Sequence, residues 1–208
     1  YAAYRYAKKL GFPVIVKPNS LSQGAGVWLV HNKKEFRRAV HEIEKKDRVF
    51  LVQRFAEGRD YRIVVLDREV ISAYERLPLM VTGNGRATIS ALLRQKQRLF
   101  KKQKRDTIIK QKDFRIPLRL KHLNMTLRTV LPKGTALALL DNRNLSTGGD
   151  SVDVTSVLHP SFRRLAVNVV RDMGLRYCGV DLIIQGDITK PFRDYRIIEI
   201  NAAPGIDN

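Results

Sequence analysis

Cysteine, acid and long apolar runs are all scarce in this sequence. Cys178 is the one cysteine in 208 residues. It excludes an internal disulfide and a zinc site built on several cysteines, and it suits a reducing compartment, so a cytoplasmic protein is expected. No apolar run approaches the roughly 20 residues that a membrane helix needs. The longest candidates, such as residues 49–52 and 178–184, are strand-sized, and no membrane partner is expected. Acids number 20 against 39 Lys and Arg, a formal charge of +19, so partners of negative charge are expected: nucleotide phosphates, acidic substrates or nucleic acid. What is present, 44% hydrophobic and 28% charged side chains, excludes disorder as the main state and suffices for one large domain or two small ones. The chain opens without Met, on a stretch (residues 1–6) that reads as mid-helix, and is expected to be a piece of something longer.

The local patterns predict an α+β fold rich in antiparallel strands. A helix over residues 4–10 ends at Gly11, and a buried strand over 12–16 delivers Lys17 and Pro18 at its tip. The small, polar loop 19–26 leads into apolar residues 27–30, making a strand–loop–strand element. Asn32 can cap a helix to about Lys45 whose Phe36, Ala39, Val40 and Ile43 form one stripe. Strands are expected at 49–52, 61–66 and 70–74. After the turn Gly83-Asn84-Gly85, Thr88 can cap a helix carrying Ile89, Leu92, Leu93, Leu99 and Phe100. The last third predicts a strand at 136–140, a polar stretch 141–153, a helix at 161–173, and closing strands at 177–184 and 196–200.

Residues 94–133 carry fourteen Lys and Arg against Asp106 and Asp113, a net +12. Such density reads as a solvated face, or as a surface holding an anionic substrate or RNA. Phe114 is the one aromatic between Phe100 and Leu131. The stacking platform of single-stranded nucleic-acid binders is therefore missing, and nucleic acid ranks second as a partner.

The two closing strands carry the chemistry. Asp181 stands between Val180 and Leu182, and Glu199 between Ile198 and Ile200, so each acid is expected in a stretch built for burial. A buried carboxylate needs a raised pKa, a cation or a metal. Glu199 and Asn201 share a strand face, and with Asp181 they offer a hard, all-oxygen set suited to Mg²⁺. The alternative is pairing of Asp181 and Glu199 with arginines. Glycines and hydroxyls beside Lys17 could cradle phosphate, but the loop lacks the Gly-Lys-Ser/Thr ending of a P-loop and the helix start of a dinucleotide turn. His31, His41, His122 and His159 show no metal spacing and read as structural; Trp28 and Cys178 read as core.

As a set, Val16-Lys17-Pro18, Gln23-Gly24-Ala25-Gly26-Val27, the segment 52–62, and Gly179-Val180-Asp181 with the ending 198–205 resemble the ATP-grasp superfamily. Arg76-Leu77-Pro78, residues 83–89 and residues 144–155 are similar to its cyanophycin synthetase and bifunctional glutathione synthetase branch. The resemblance spans the whole chain in order. It implies two α+β lobes enclosing a nucleotide cleft: a small lobe at residues 1–72, and a larger one at 73–208 with a basic insertion at about 94–133. It also implies an ADP-forming carboxylate–amine ligase that makes an amide or peptide bond through an acylphosphate, with ATP and Mg²⁺ (Mn²⁺ as an alternative). Lys17 would neutralise phosphates, and the loop with Ser22, Gly24 and Gly26 would close over them. Gln53, Arg54 and Ala56 match the strand that holds adenine, Asp60 the acid that accepts from ribose, and Asp181, Glu199 and Asn201 the Mg²⁺ ligands. Arg62 and Arg76 would steady the phosphoryl group or substrate carboxylate, and Asn144, Ser146 and Gly148 would form a polar turn near the acyl group.

The chain departs from the family in two places. Gln53 stands where Glu is usual. Gly179 stands where many amide-forming members have Arg, which moves that duty to Arg62, Arg76 or Arg143. The family pattern also places a further phosphate-binding lysine and a substrate-binding domain upstream of residue 1. Expected partners are a carboxylate-bearing small molecule or peptide and an amine co-substrate, with self-association an open alternative. The rival readings are a polyanion- or RNA-binding module with a degenerate ATP site, and a ligase adding amino acids to a protein or peptide terminus.

Overall fold

A computed structural model describes residues 2–20 and 26–205. The chain divides into two compact units, residues 1–55 with 78–148, and 56–77 with 149–208. Each unit is built from two stretches, because the chain leaves the first at Phe55 and returns at Pro78.

In the first unit, β1 (Val14–Pro18) lies between β2 (Trp28–Val30) and β3 (Phe50–Arg54), both antiparallel to it. Alternation does the sorting. Val14 and Val16 are buried against α1 (Ala2–Leu10) and α2 (Lys33–Glu44), in a core with Trp28, Phe36, Ala39 and Ile43, while Ile15 and Lys17 share the other face of the strand. The Asn32 carboxamide caps α2, accepting from Glu35 N–H at 3.0 Å, and Glu35 returns the favour by accepting from His31 N–H at 2.9 Å.

A second core in the same unit gathers the antiparallel pair β6 (Met80–Thr82) and β7 (Ala136–Ala138), α3 (Ile89–Lys102), capped by Thr88, and α4 (Arg115–His122). Here the basic segment is an integral part of the unit. Phe100, Ile109, Ile116 and Leu120 are buried, while Arg94, Arg98, Lys101, Lys102 and Lys104 stay exposed. α4, β6 and a strand inside the polar stretch, β8 (Asp150–Asp153), are elements that the sequence patterns did not announce.

The second unit is one antiparallel sheet in the order β10-β9-β4-β5-β8, formed by β4 (Arg59–Leu66), β5 (Glu69–Leu77), β8, β9 (Tyr177–Gln185) and β10 (Asp194–Asn201). α5 (Pro160–Asp172) packs on one face, where Phe162, Ala166 and Val170 meet Tyr61, Ile63 and Val65 of β4 and Cys178, Val180, Leu182 and Ile184 of β9. His159 starts that helix, its Nδ1 accepting from Ser161 N–H at 3.1 Å, with Pro160 in the first turn. Among the described residues no helix is long and apolar enough to cross a membrane.

Candidate functional site

Because β4, β5, β8, β9 and β10 alternate in register, every second residue falls on the sheet face away from α5, and that face is polar. One cross-strand row runs Asp153, Tyr74, Arg62, Asp181, Glu199; the next contains Ser151, Arg76 and Asp60; Asn201 stands opposite Gly179 beside them. Sequence spacing alone brought Glu199 and Asn201 to one face. The strand order adds Arg62, Arg76, Asp60 and Asp181 to it.

Asp181 is the hub. Its side chain is 2% exposed, and Arg62 grips it in a fork, Nε to Oδ1 at 2.6 Å and Nη2 to Oδ2 at 2.8 Å. Arg76 donates Nη1 to the same Oδ2 at 2.9 Å and turns Nε and Nη2 onto Asp60 Oδ1 at 2.9 and 2.6 Å. Asn201 Nδ2 approaches Oδ2 at 3.4 Å. Two guanidiniums therefore face two carboxylates in a shared, charge-balanced network. Burial pulls the Arg62 and Arg76 pKa values down. The carboxylates outweigh it: Asp181 for Arg62, and Asp60 with Asp181 for Arg76, so both arginines stay fixed as cations.

Of the three escapes open to a buried acid, the structure shows pairing with cationic arginines at Asp181. Glu199 corrects the sequence expectation of burial. β10 is an edge strand, Ile197 and Ile198 are 40% and 41% exposed, and Glu199 itself is exposed with no ion pair among the described residues. A bulge between Ile197 and Glu199 shifts the register there, placing Glu199 opposite Asp181. Gly179 is also explained: a Cβ there would lie 2.9 Å from Pro204 Cβ and 3.4 Å from Arg62 Cδ. The space a side chain at 179 would need is taken by the Pro204 ring, with Arg62 in ordinary contact on the neighbouring strand.

In the first unit, Lys17 stands at the end of β1 with no ion-pair partner among the described residues. The loop that follows is tied at its start, where Ser20 donates both N–H and hydroxyl to Asp47 Oδ2 at 2.7 Å. Ser22 and Gly24 lie outside the described residues, and Gly26 takes a left-handed φ of +73°. Gln53 and Arg54 are exposed on β3, an edge strand whose outer side has no strand partner among the described residues; Ala56 follows, half-buried. Asn144, Ser146 and Gly148 do form a tight polar turn around a short 3₁₀ helix at Leu145–Thr147. Asn144 Oδ1 accepts from Ser146 N–H at 3.1 Å and Oγ–H at 3.0 Å, and Gly148 closes the turn with φ +97°.

The feature that sequence reasoning missed is a pocket of about 110 Å³ in the first unit. Ile15, Leu29, Phe55, Leu139 and Leu140 supply its apolar wall, and Arg115, Leu118 and Arg119 of α4 close it with Asn142. One signal was available: Ile15 shares a strand face with Lys17.

The family described as D-ala D-ala ligase C-terminus matches residues 2–84. Over 201 residues the chain is 37% identical to the cyanophycin synthetase of Trichormus variabilis, covering 94% of this chain and 22% of that one. It is 34% identical over 222 residues to the glutathione biosynthesis bifunctional protein of Enterococcus faecalis, covering 99% and 28%. A crystal structure of a bifunctional glutathione synthetase from Pasteurella multocida superposes with a TM-score of 0.59 at 28% identity, covering 99% of this chain and 30% of that one. The chain has the ATP-grasp fold. This ATP-grasp chain spans about a quarter of the length of the curated relatives it matches, and its resemblance to the cyanophycin synthetase and bifunctional glutathione synthetase branch runs the length of its sequence.

Proposed function

We propose that the protein is an ATP-dependent carboxylate–amine ligase, ADP-forming, that makes an amide or peptide bond through an acylphosphate. The observation that carries this reading is the polar sheet face, on which two fixed arginines, a buried Asp181, an exposed Glu199 and Asn201 lie in adjoining cross-strand positions of an ATP-grasp fold.

The residues fit a divalent ion of Mg²⁺ type, with Mn²⁺ an alternative. Among the described residues, Asp181 Oδ1 takes one hydrogen bond, from Arg62 Nε, and keeps a lone pair; Asn201 turns its amide N–H₂ toward Asp181 and so leaves its carbonyl oxygen for a cation; Glu199 has no ion-pair partner there. When bound, Mg²⁺ would neutralise phosphate charge and orient the transferring group. Arg62 and Arg76 are already aligned and desolvated. Their parallel N–H groups can pass from carboxylate to a phosphoryl or substrate carboxylate without reorganising the backbone. Lys17 would meet the phosphates, and the anchored loop beginning at Ser20 would cover them against water. Adenine would lie along the free edge of β3 at Gln53, Arg54 and Ala56, and Asp60 would accept from ribose once Arg76 releases it.

The chain would work in the cytoplasm on a small-molecule or peptide carboxylate and an amine. The net +12 of residues 94–133 would draw in acidic substrates, and self-association is an open alternative. The test is phosphate release with ATP and Mg²⁺ across amino acids and acidic peptides. Glu199→Gln should abolish release while leaving the melting temperature unchanged, because the residue is exposed. Normal turnover in that variant would remove Glu199 from the site.

A further inference from the structure

Beyond Asn201 the chain does not run on from the sheet but folds back onto it. β10 ends at Asn201, whose strand partner is Gly179, and the residues that follow bend until Pro204 is buried over β9. Two features of β9 hold it there. The Tyr177 hydroxyl donates to the Pro204 carbonyl oxygen at 2.8 Å. Gly179 makes the room: a Cβ at that position would stand 2.9 Å from Pro204 Cβ, well inside the separation of packed carbons. Cys178, Val180 and Leu182 enter the core beneath α5, so Tyr177, Gly179 and Asp181 lie in line on the polar face. This clasp and the candidate metal ligands therefore share one face of one pair of strands.

Asn201 is the ligand that needs it. It is the last residue of an edge strand, where a ladder opens most readily. Among the described residues its side chain makes one hydrogen bond, the approach of Nδ2 to Asp181 Oδ2 at 3.4 Å, which is longer than a firm N–H···O bond. Its place is set from the backbone, between the β9 ladder on one side and the clasp on the other.

We infer that Tyr177 is a positioning residue for the metal site: its hydroxyl, with the Pro204 ring seated on Gly179, closes the end of the β9–β10 ladder and presets the Asn201 carboxamide beside Asp181. The inference rests on the Mg²⁺ site proposed above and names what prepares that site before an ion arrives. Tyr177 acts only through the loop, since Gly179 stands between it and Asp181 on their shared face. A ligand already in place spares the ion the cost of ordering it, and the gain is bounded by the net strength of the clasp. Loss of one hydrogen bond should therefore change ion affinity by about two- to tenfold and leave the site in being.

Mn²⁺ supplies the readout, because electron paramagnetic resonance follows its binding without turnover. It is titrated, with ADP present, into the wild-type chain, Tyr177→Phe, Gly179→Ala and Glu199→Gln, and amide hydrogen exchange is recorded on the ion-free proteins. Tyr177→Phe should weaken Mn²⁺ binding by about two- to tenfold and speed exchange at Asn201 and the amides after it. Gly179→Ala should do the same by displacing the ring, and Tyr177→Phe decides the matter should Gly179→Ala fail to fold. Glu199→Gln should lose Mn²⁺ and keep the wild-type exchange. Faster exchange with unchanged Mn²⁺ affinity in Tyr177→Phe would make the clasp merely structural and overturn this inference alone, as would exchange that does not move. No Mn²⁺ uptake by wild type, or undiminished uptake by Glu199→Gln, overturns the metal site and this inference with it.

Discussion

Removing the Asp181 carboxylate would leave two guanidiniums facing each other on a largely buried sheet surface. Breaking a buried pair from one side costs about 3–5 kcal/mol, so Asp181→Ala should lower the unfolding free energy measured in urea by that order. In the double variant Arg62→Met/Asp181→Leu the loss should be smaller than the sum of the single losses, because no charge is stranded. Additive losses would mean that the two residues are not coupled. At this scale the sequence was informative about Asp181, flanked by apolar residues in a strand that is buried. The same signal misled at Glu199, since alternation cannot say whether a strand sits at the edge of its sheet. Cys178, also legible as core, is fully buried; burial pushes its thiol up, which keeps it unreactive.

Among the elements, the tie at the mouth of the glycine loop is titratable. Hydrogen bonds from Ser20 hold Asp47 down from its ordinary 3.8 to about 2. A carboxylate depressed on folding contributes its full stability above the unfolded pKa and loses it as pH falls through the folded one. The contribution should therefore be complete above about pH 4 and vanish toward pH 2, and Asp47→Asn should flatten the acid limb of stability in that window. An unchanged limb would show that the tie is absent in solution. The start of β4 gives a second prediction. Gly58 adopts φ +136°, and a Cβ there would fall 2.5 Å from the Ile184 carbonyl oxygen of β9, so Gly58→Ala should destabilise by about 1–3 kcal/mol in denaturant unfolding. Elements with caps and a clear stripe, such as α2 from Asn32 and α3 from Thr88, could be read from sequence alone. α4 could not, because Arg-Ile-Pro-Leu-Arg-Leu-Lys-His has a proline in its first turn and few apolar positions. Nor could β8, whose Asp-Ser-Val-Asp is polar because it is a sheet edge.

For the whole molecule, a charge of +19 acts at a distance. If the basic segment recruits acidic substrates, their KM should rise as ionic strength goes from about 0.05 to 0.3 M, where the screening length shrinks to a few ångströms, while kcat holds. A KM indifferent to salt would leave the segment as solvated surface. The α+β architecture and the order of most strands along the chain were legible, since an apolar strand announces itself locally, whereas the short β6 and the polar β8 did not. The pocket was not, because it is assembled from β1, the end of β3, α4 and the stretch 139–142, which lie far apart in sequence and meet only through packing.

The neutrality of Asp60, Arg62, Arg76 and Asp181 also governs how such a protein can diverge. Each member is tolerable only in the company of its opposite, so single losses along a lineage should be rare and short-lived. Descendants that abandon the chemistry should shed the arginines and aspartates as couples, leaving an apolar sheet face in their place.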